Sequence, residues 1–171
     1  MYKNSFDSSD LQKRLFKELI PCLKALKHLS VPSNNLRNVT PEITHCLTSH
    51  ESALASQLES LNLGNNLFTP NELLSLTQTI LASGHMIKLK KLVIAFSDLG
   101  EGPDSIASTL CQLIQKTSCK LEELDIRCCG LKISDMQVLR QSLLRNPSLK
   151  IKTINAGLNQ FNYEKPYSRG G

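Results

Sequence analysis

The chain has 171 residues, of which 40% are hydrophobic, 20% charged and 5% aromatic, with no Trp and a formal net charge of +5. That length suits one domain, and a core without Trp and with few aromatic residues must be built from aliphatic side chains. No stretch approaches the ~18–20 apolar residues of a bilayer-spanning helix, and residues 1–10 lack the cationic and apolar regions of a secretory signal, so no membrane partner is expected and the expected location is cytoplasmic or nuclear.

Residues 7–20, DSSDLQKRLFKELI, read as an amphipathic helix with Leu11, Leu15 and Leu19 on one side and Lys13, Arg14, Lys17 and Glu18 elsewhere, ended by Pro21. A short strand motif follows, built on Leu26, Leu29, Val31, Asn34 and Leu36. Thr40 and Pro41 then open a helix that carries Ile43, Leu47 and Leu54. The strand motif returns as Leu58, Leu61, Leu63, Asn66 and Phe68. Thr69, Pro70 and Glu72 supply an N-cap, a first-turn proline and a capping-box acid ahead of Leu73, Leu76 and Ile80 at helical spacing. A third motif, Leu89, Leu92, Ile94, Ser97 and Leu99, precedes a helix that follows Pro103 and holds Ile106, Leu110 and Leu113. The fourth is Leu121, Leu124, Ile126, Cys129 and Leu131. Ser134 and Gln137 open the next helix, which carries Met136, Leu139 and Leu143 and stops at Asn146-Pro147. A weaker fifth motif runs Ile151, Ile154, Ala156, Asn159 and Phe161, and the polar, Gly-terminated tail beyond it is expected to be flexible.

The motifs begin at residues 26, 58, 89, 121 and 151, with spacings of 32, 31, 32 and 30. Written as Leu-x-x-Leu-x-Leu-x-x-Asn/Cys-x-Leu, the pattern resembles the leucine-rich repeat, and its long period resembles the ribonuclease-inhibitor-like class. The resemblance covers about residues 23–161. It implies an α/β fold, a short solenoid arc with parallel strands on the concave face and helices on the convex face. No single unit can bury its apolar side alone, so the repeats must stack into one core. The expected organisation is an N-terminal capping helix in residues 1–22, five repeats in 23–161 and a flexible tail in 162–171. At the ninth position of each motif, Asn34, Asn66 and Asn159 are expected to turn their side chains under the chain and bond the backbone of the neighbouring repeat. Cys129 is an accepted variant there, read as a ladder residue rather than a reactive thiol, whereas Ser97 departs from the pattern and implies a looser turn. No C-terminal cap is evident. Ile154 and Phe161 close the stack, or the chain is the end portion of a longer repeat protein, or the exposed end self-associates.

The outward positions of the motifs give His28, Ser30, Pro32 and Ser33, then Ser60, Asn62, Gly64 and Asn65, then Lys91, Val93, Ala95 and Phe96. The fourth and fifth motifs add Glu123, Asp125, Arg127 and Cys128, and Thr153, Asn155, Gly157 and Leu158. The expected partner-binding patch is Lys91, Val93, Phe96, Glu123, Asp125, Arg127 and Cys128, because an exposed aromatic rimmed by charges has the composition of a binding hot spot. Two plainer readings stand beside it: Phe96 folds down over its loop, and Arg127 is paired internally by Glu123 or Asp125. Lys88, Lys90, Lys91, Lys120, Lys150 and Lys152 flank the later strands, but Glu122 and Glu123 interleave with them, so a mixed surface is expected and nucleic acid is not an expected partner.

Six cysteines, at 22, 46, 111, 119, 128 and 129, show no CxxC or Cys/His zinc spacing, so reduced thiols and no metal are expected. The chain contains no GxSxG, phosphate-loop or HExxH motif, and His28, His45, His50 and His85 are scattered. The leading expectation is a non-enzymatic protein-protein interaction module without cofactors, binding a protein partner on the concave face. One alternative is the C-terminal repeat portion of a larger chromatin or DNA-repair scaffold of the Tonsoku-like kind, or of an immune sensor. Another is a small-GTPase activator acting through Arg127 or Arg37, against which stand the short chain and the missing acidic tail.

Overall fold

Alternation of apolar and polar residues around Leu29, Leu61, Leu92, Leu124 and Ile154 produces short strands whose middle residue turns inward. The computed structural model describes residues 9–49, 53–83, 88–97, 106–115 and 120–159. Strands β1 (His28–Ser30), β2 (Ser60–Asn62), β3 (Lys91–Val93), β4 (Glu123–Asp125) and β5 (Thr153–Asn155) form one all-parallel sheet in chain order. Their register follows the motif without slippage: His28, Ser60, Lys91, Glu123 and Thr153 lie abreast, as do Leu29, Leu61, Leu92, Leu124 and Ile154. The fold is thus α/β, with helices joining successive strands.

The helices are α1 (Ser9–Arg14), α2 (Ile20–Cys22), α3 (Thr40–Thr48), α4 (Ala53–Gln57), α5 (Pro70–Ser83), α6 (Ile106–Gln115) and α7 (Ile133–Arg145). Helices α3, α5, α6 and α7 pack each against the next, parallel to the order of the strands. Between the two layers lies an aliphatic core that includes Ile43, Leu47, Leu61, Leu63, Leu73, Leu76, Leu92, Ile94, Leu124 and Ile126. Burial fades along the sheet, because Leu149, Ile154 and Ala156 are only partly covered. Among the described residues no helix is long and apolar enough to cross a membrane.

Several local expectations need correction. In the N-terminal helix the buried stripe is Gln12, Phe16 and Ile20, while Leu11 and Leu19 are exposed. Both stripes have helical spacing; the one containing Phe16 can face the core because the Gln12 amide, otherwise costly to bury, donates to the Asn34 carbonyl at 2.8 Å. Pro21 does not end this helix. A π-helical turn at Leu15–Leu19, in which the Ile20 N–H bonds Leu15 O, lets Pro21 enter in the first turn of α2, where its missing N–H costs nothing.

The helix expected to run from Thr40 through Leu54 is divided. A 3-10 turn at Leu36–Val39 leads directly into α3, so Thr40 is inside the helix, and extended backbone at Ser49 ends it; Leu54 lies in α4. At α5 the capping box forms as expected, with the Thr69 N–H donating to Glu72 Oε2 at 2.8 Å and the Glu72 N–H to Thr69 Oγ1 at 3.3 Å. At α7 the reciprocal acid is Asp135, whose carboxylate accepts the Lys132 N–H at 2.8 Å, in place of the expected Ser134 cap. Helix α7 does stop at Asn146-Pro147, where the buried Asn146 amide donates to Ile114 O of α6 at 2.6 Å. Leu99, Pro103, Phe161 and the expected tail 162–171 lie outside the described residues.

Candidate functional site

Each strand turns its first and third residues away from the core, so the helix-free face of the sheet displays His28, Ser30, Ser60, Asn62, Lys91, Val93, Glu123, Asp125, Thr153 and Asn155. The residue just before each strand is Lys27, Glu59, Lys90, Glu122 or Lys152, so register places alternating charges side by side. Glu59 is held by Lys90 at 2.7 Å and Lys27 at 3.1 Å, and Glu122 by Lys152 at 2.7 Å. The Lys90 and Lys27 ammonium groups hold the Glu59 carboxyl at about 2, and Lys152 likewise lowers that of Glu122. A depression of about 460 Å³ lies across this region, lined by His28, Ser30, Ser60, Asn62, Lys91 and Glu123 together with three of the alternating charges.

Beyond the strands the chain turns a repeated corner. The eighth motif residue, Ser33, Asn65, Phe96, Cys128 or Leu158, has left-handed backbone with φ between 51° and 61°. The ninth is the ladder residue. Asn66 Nδ2 donates to Val31 O at 2.8 Å and Leu63 O at 2.9 Å, and Asn66 Oδ1 accepts the Asn34 N–H at 2.8 Å. Asn159 repeats this, donating to Ile126 O and Ala156 O and accepting the Cys129 and Leu131 N–H groups. Cys129 makes only weak thiol bonds, 3.4 Å to Ile94 O and 3.3 Å to Arg127 O, and burial pushes its thiol up to about 11, the behaviour of a structural thiol. Ser97 is buried and its hydroxyl has no hydrogen-bond partner among the described residues. Among the described residues no strand pairs with the outer side of β1, and the Asn34 Nδ2 turns back to Pro32 O at 2.8 Å.

The structure brings the expected patch residues together on β3, β4 and the corners that follow them. Lys91 pairs with Glu123 at 2.6 Å. Asp125 takes Arg127 in a two-pronged fork, Nε to Oδ1 at 2.9 Å and Nη2 to Oδ2 at 2.7 Å. Partial burial raises the Asp125 carboxyl, but the Arg127 bonds more than offset this, and the net shift is downward. Internal pairing of Arg127 is therefore observed, and Asp125 rather than Glu123 provides it. Val93 and Cys128 are half-buried, whereas Phe96 remains 52% exposed despite its strained backbone; the loop over which the plainer reading folds it lies outside the described residues. A β-carbon in left-handed backbone costs roughly 1–2 kcal/mol, and Asn or Gly tolerates it far better than Phe.

The first two strands carry a different surface. Asn62 Nδ2 donates to Ser30 Oγ at 3.2 Å and Asn65 Nδ2 to Ser33 Oγ at 2.9 Å, so this half of the face is neutral and bonded to itself. Sequence reasoning placed Lys90, Lys152 and Glu122 on a mixed edge but missed Lys27, Glu59 and the order of pairing. The signal was present as Lys, Glu, Lys, Glu, Lys at one motif position. Among the described residues no group of three His, Cys, Asp or Glu side chains is arranged to hold a metal ion. No protein-family model matches the chain, and a search of curated proteins returns no significant match.

Proposed function

We propose that the chain is a leucine-rich-repeat protein of the ribonuclease-inhibitor-like kind, a short solenoid that binds a protein partner on the concave, helix-free face of its sheet and performs no catalysis. The observation that carries this reading is Phe96: a large aromatic, 52% exposed, in a backbone conformation that disfavours it. The turn itself is common to all five corners, so what sets this corner apart is the large exposed aromatic that occupies it. The Phe96 corner is bonded to that of Arg127, which pairs with Asp125, while half-buried Val93 and the Lys91–Glu123 pair lie further along the same two strands, an apolar anchor on a charged face. These charges satisfy one another, so they select a complementary partner more than they supply affinity. Arg127 is committed to Asp125, which works against its use as an arginine delivered to a GTPase. The cytoplasm or nucleus is the proposed setting.

Affinity purification of the tagged chain from its native cells, beside a Phe96→Ala, Asp125→Lys control, tests this reading. A partner recovered by the native chain and lost by the folded control supports it. Equal recovery by both places the binding surface elsewhere.

A further inference from the structure

The backbone bonds between neighbouring strands follow one rule four times over. The residue before each strand offers its carbonyl to two N–H groups of the next strand: Lys27 O to Glu59 and Ser60, Glu59 O to Lys90 and Lys91, Lys90 O to Glu122 and Glu123, Glu122 O to Lys152 and Thr153. In return, the first and third residues after each strand donate forward, as Val31 and Ser33, Leu63 and Asn65, Ile94 and Phe96, and Ile126 and Cys128 do. On β5 the corresponding groups are Lys152 C=O, Ala156 N–H and Leu158 N–H, and among the described residues none of them has a partner. Beside them Ile154 and Ala156 are partly covered and Leu158 is 81% exposed. The β1 edge differs in one group: Asn34 Nδ2 occupies the Pro32 carbonyl.

We propose that the β5 edge is a second binding site, which takes an extended protein segment running parallel to β5 with the pattern acid-x-aliphatic-x-aliphatic. Charge complementarity selects this occupant. Lys152 is the last member of the alternating series, so the next rung calls for a carboxylate, as Glu59 follows Lys27 and Glu122 follows Lys90. The two aliphatic residues fall beside Ile154 and Ala156, the places held in β2 and the residue after it by Leu61 and Leu63. A second copy is the poorer occupant. Head-to-tail addition sets Lys27 next to Lys152, cation beside cation, and meets a β1 edge whose Pro32 carbonyl is already taken by Asn34 Nδ2, and a symmetric β5 pair supplies no carboxylate to either Lys152. Strand addition of this kind draws affinity from main-chain bonds and specificity from alternate side chains.

The test uses the full chain and two synthetic peptides. One has the sequence of residues 58–66, LESLNLGNN, with Glu59 in the rung place; the other is the same peptide with Glu59→Lys. Affinity is read by fluorescence anisotropy and the site by amide hydrogen exchange. The acidic peptide is expected to bind at least about tenfold more tightly than the lysine peptide and to slow exchange at Ala156 and Leu158. Lys152→Gln is expected to remove the difference between the peptides while leaving the fold intact, since its ammonium is exposed. Four results overturn the proposal: equal affinity for the two peptides; no protection of these amides by peptide at about 1 mM; amides already protected in the free monomeric chain; or protection that rises with protein concentration alone, which assigns the edge to a second copy.

Discussion

The corner after β2 places Asn66 where the corner after β3 places Ser97, on the same left-handed turn. Asn66 is fully buried and its side chain satisfies two carbonyls and an N–H, while the Ser97 hydroxyl has no partner among the described residues. Immediately before them stand Asn65, a residue that suits left-handed backbone and bonds Ser33, and Phe96, which does not suit it and faces solvent. One corner therefore holds adjacent strand units together, and the other leaves its rung unmade and exposes an aromatic side chain. Under the proposed function, stability and recognition would be assigned to neighbouring corners one strand apart.

The contrast breaks most visibly at Asn66. Asn66→Ala leaves the Asn34 N–H and two carbonyls without their buried partner, and the expected loss is about 3 kcal/mol, on the order of 10 °C in Tm by calorimetry. Next comes Phe96: its truncation to Ala is expected to weaken the partner about thirtyfold, roughly 2 kcal/mol, in a titration with the purified partner. Phe96→Asn is expected to show the same loss of binding together with a gain of about 1 kcal/mol in denaturant unfolding, because it removes the φ 58° strain. Ser97→Asn restores the missing rung and is expected to add about 1 kcal/mol, which would make the two corners alike. A Ser97→Asn variant no more stable than the native chain would mean that the difference between the corners lies elsewhere.

The smallest effect concerns pH. The Glu59 carboxyl sits at about 2, below its ordinary value of 4.5, so its contribution is complete above the unfolded value and fades as pH falls from there toward 2. Thermal unfolding followed from pH 6 to pH 2 should show a shallower loss in Glu59→Gln than in the native chain, and the difference should shrink with added salt.

Much of the fold was legible because one hydrophobic spacing repeats: Leu29, Leu61, Leu92 and Leu124 announce inward strand residues, and the register of the sheet follows from them. The Thr69–Glu72 capping box was legible because local chemistry alone decides it. The N-terminal helix was misread because Leu11, Leu15 and Leu19 compete with Gln12, Phe16 and Ile20 at the same spacing, and the Gln12 bond that lets the second stripe face the core reaches Asn34, across 22 residues. The break at Ser49 and the use of Asp135 rather than Ser134 likewise depend on packing and local geometry that periodicity does not carry. In the candidate site, the membership of the patch followed from motif positions, whereas the Lys27–Glu59–Lys90 pairing and the exposure of Phe96 required the strands to be set side by side.

The most direct test of the central claim is site-specific photocrosslinking in cells, with the photoreactive residue placed at position 96 on the corner after β3 or at exposed Gln141 on α7. Binding through the helix-free face predicts one discrete adduct from position 96 and none from position 141. The same adduct from both positions, or from position 141 alone, would contradict it.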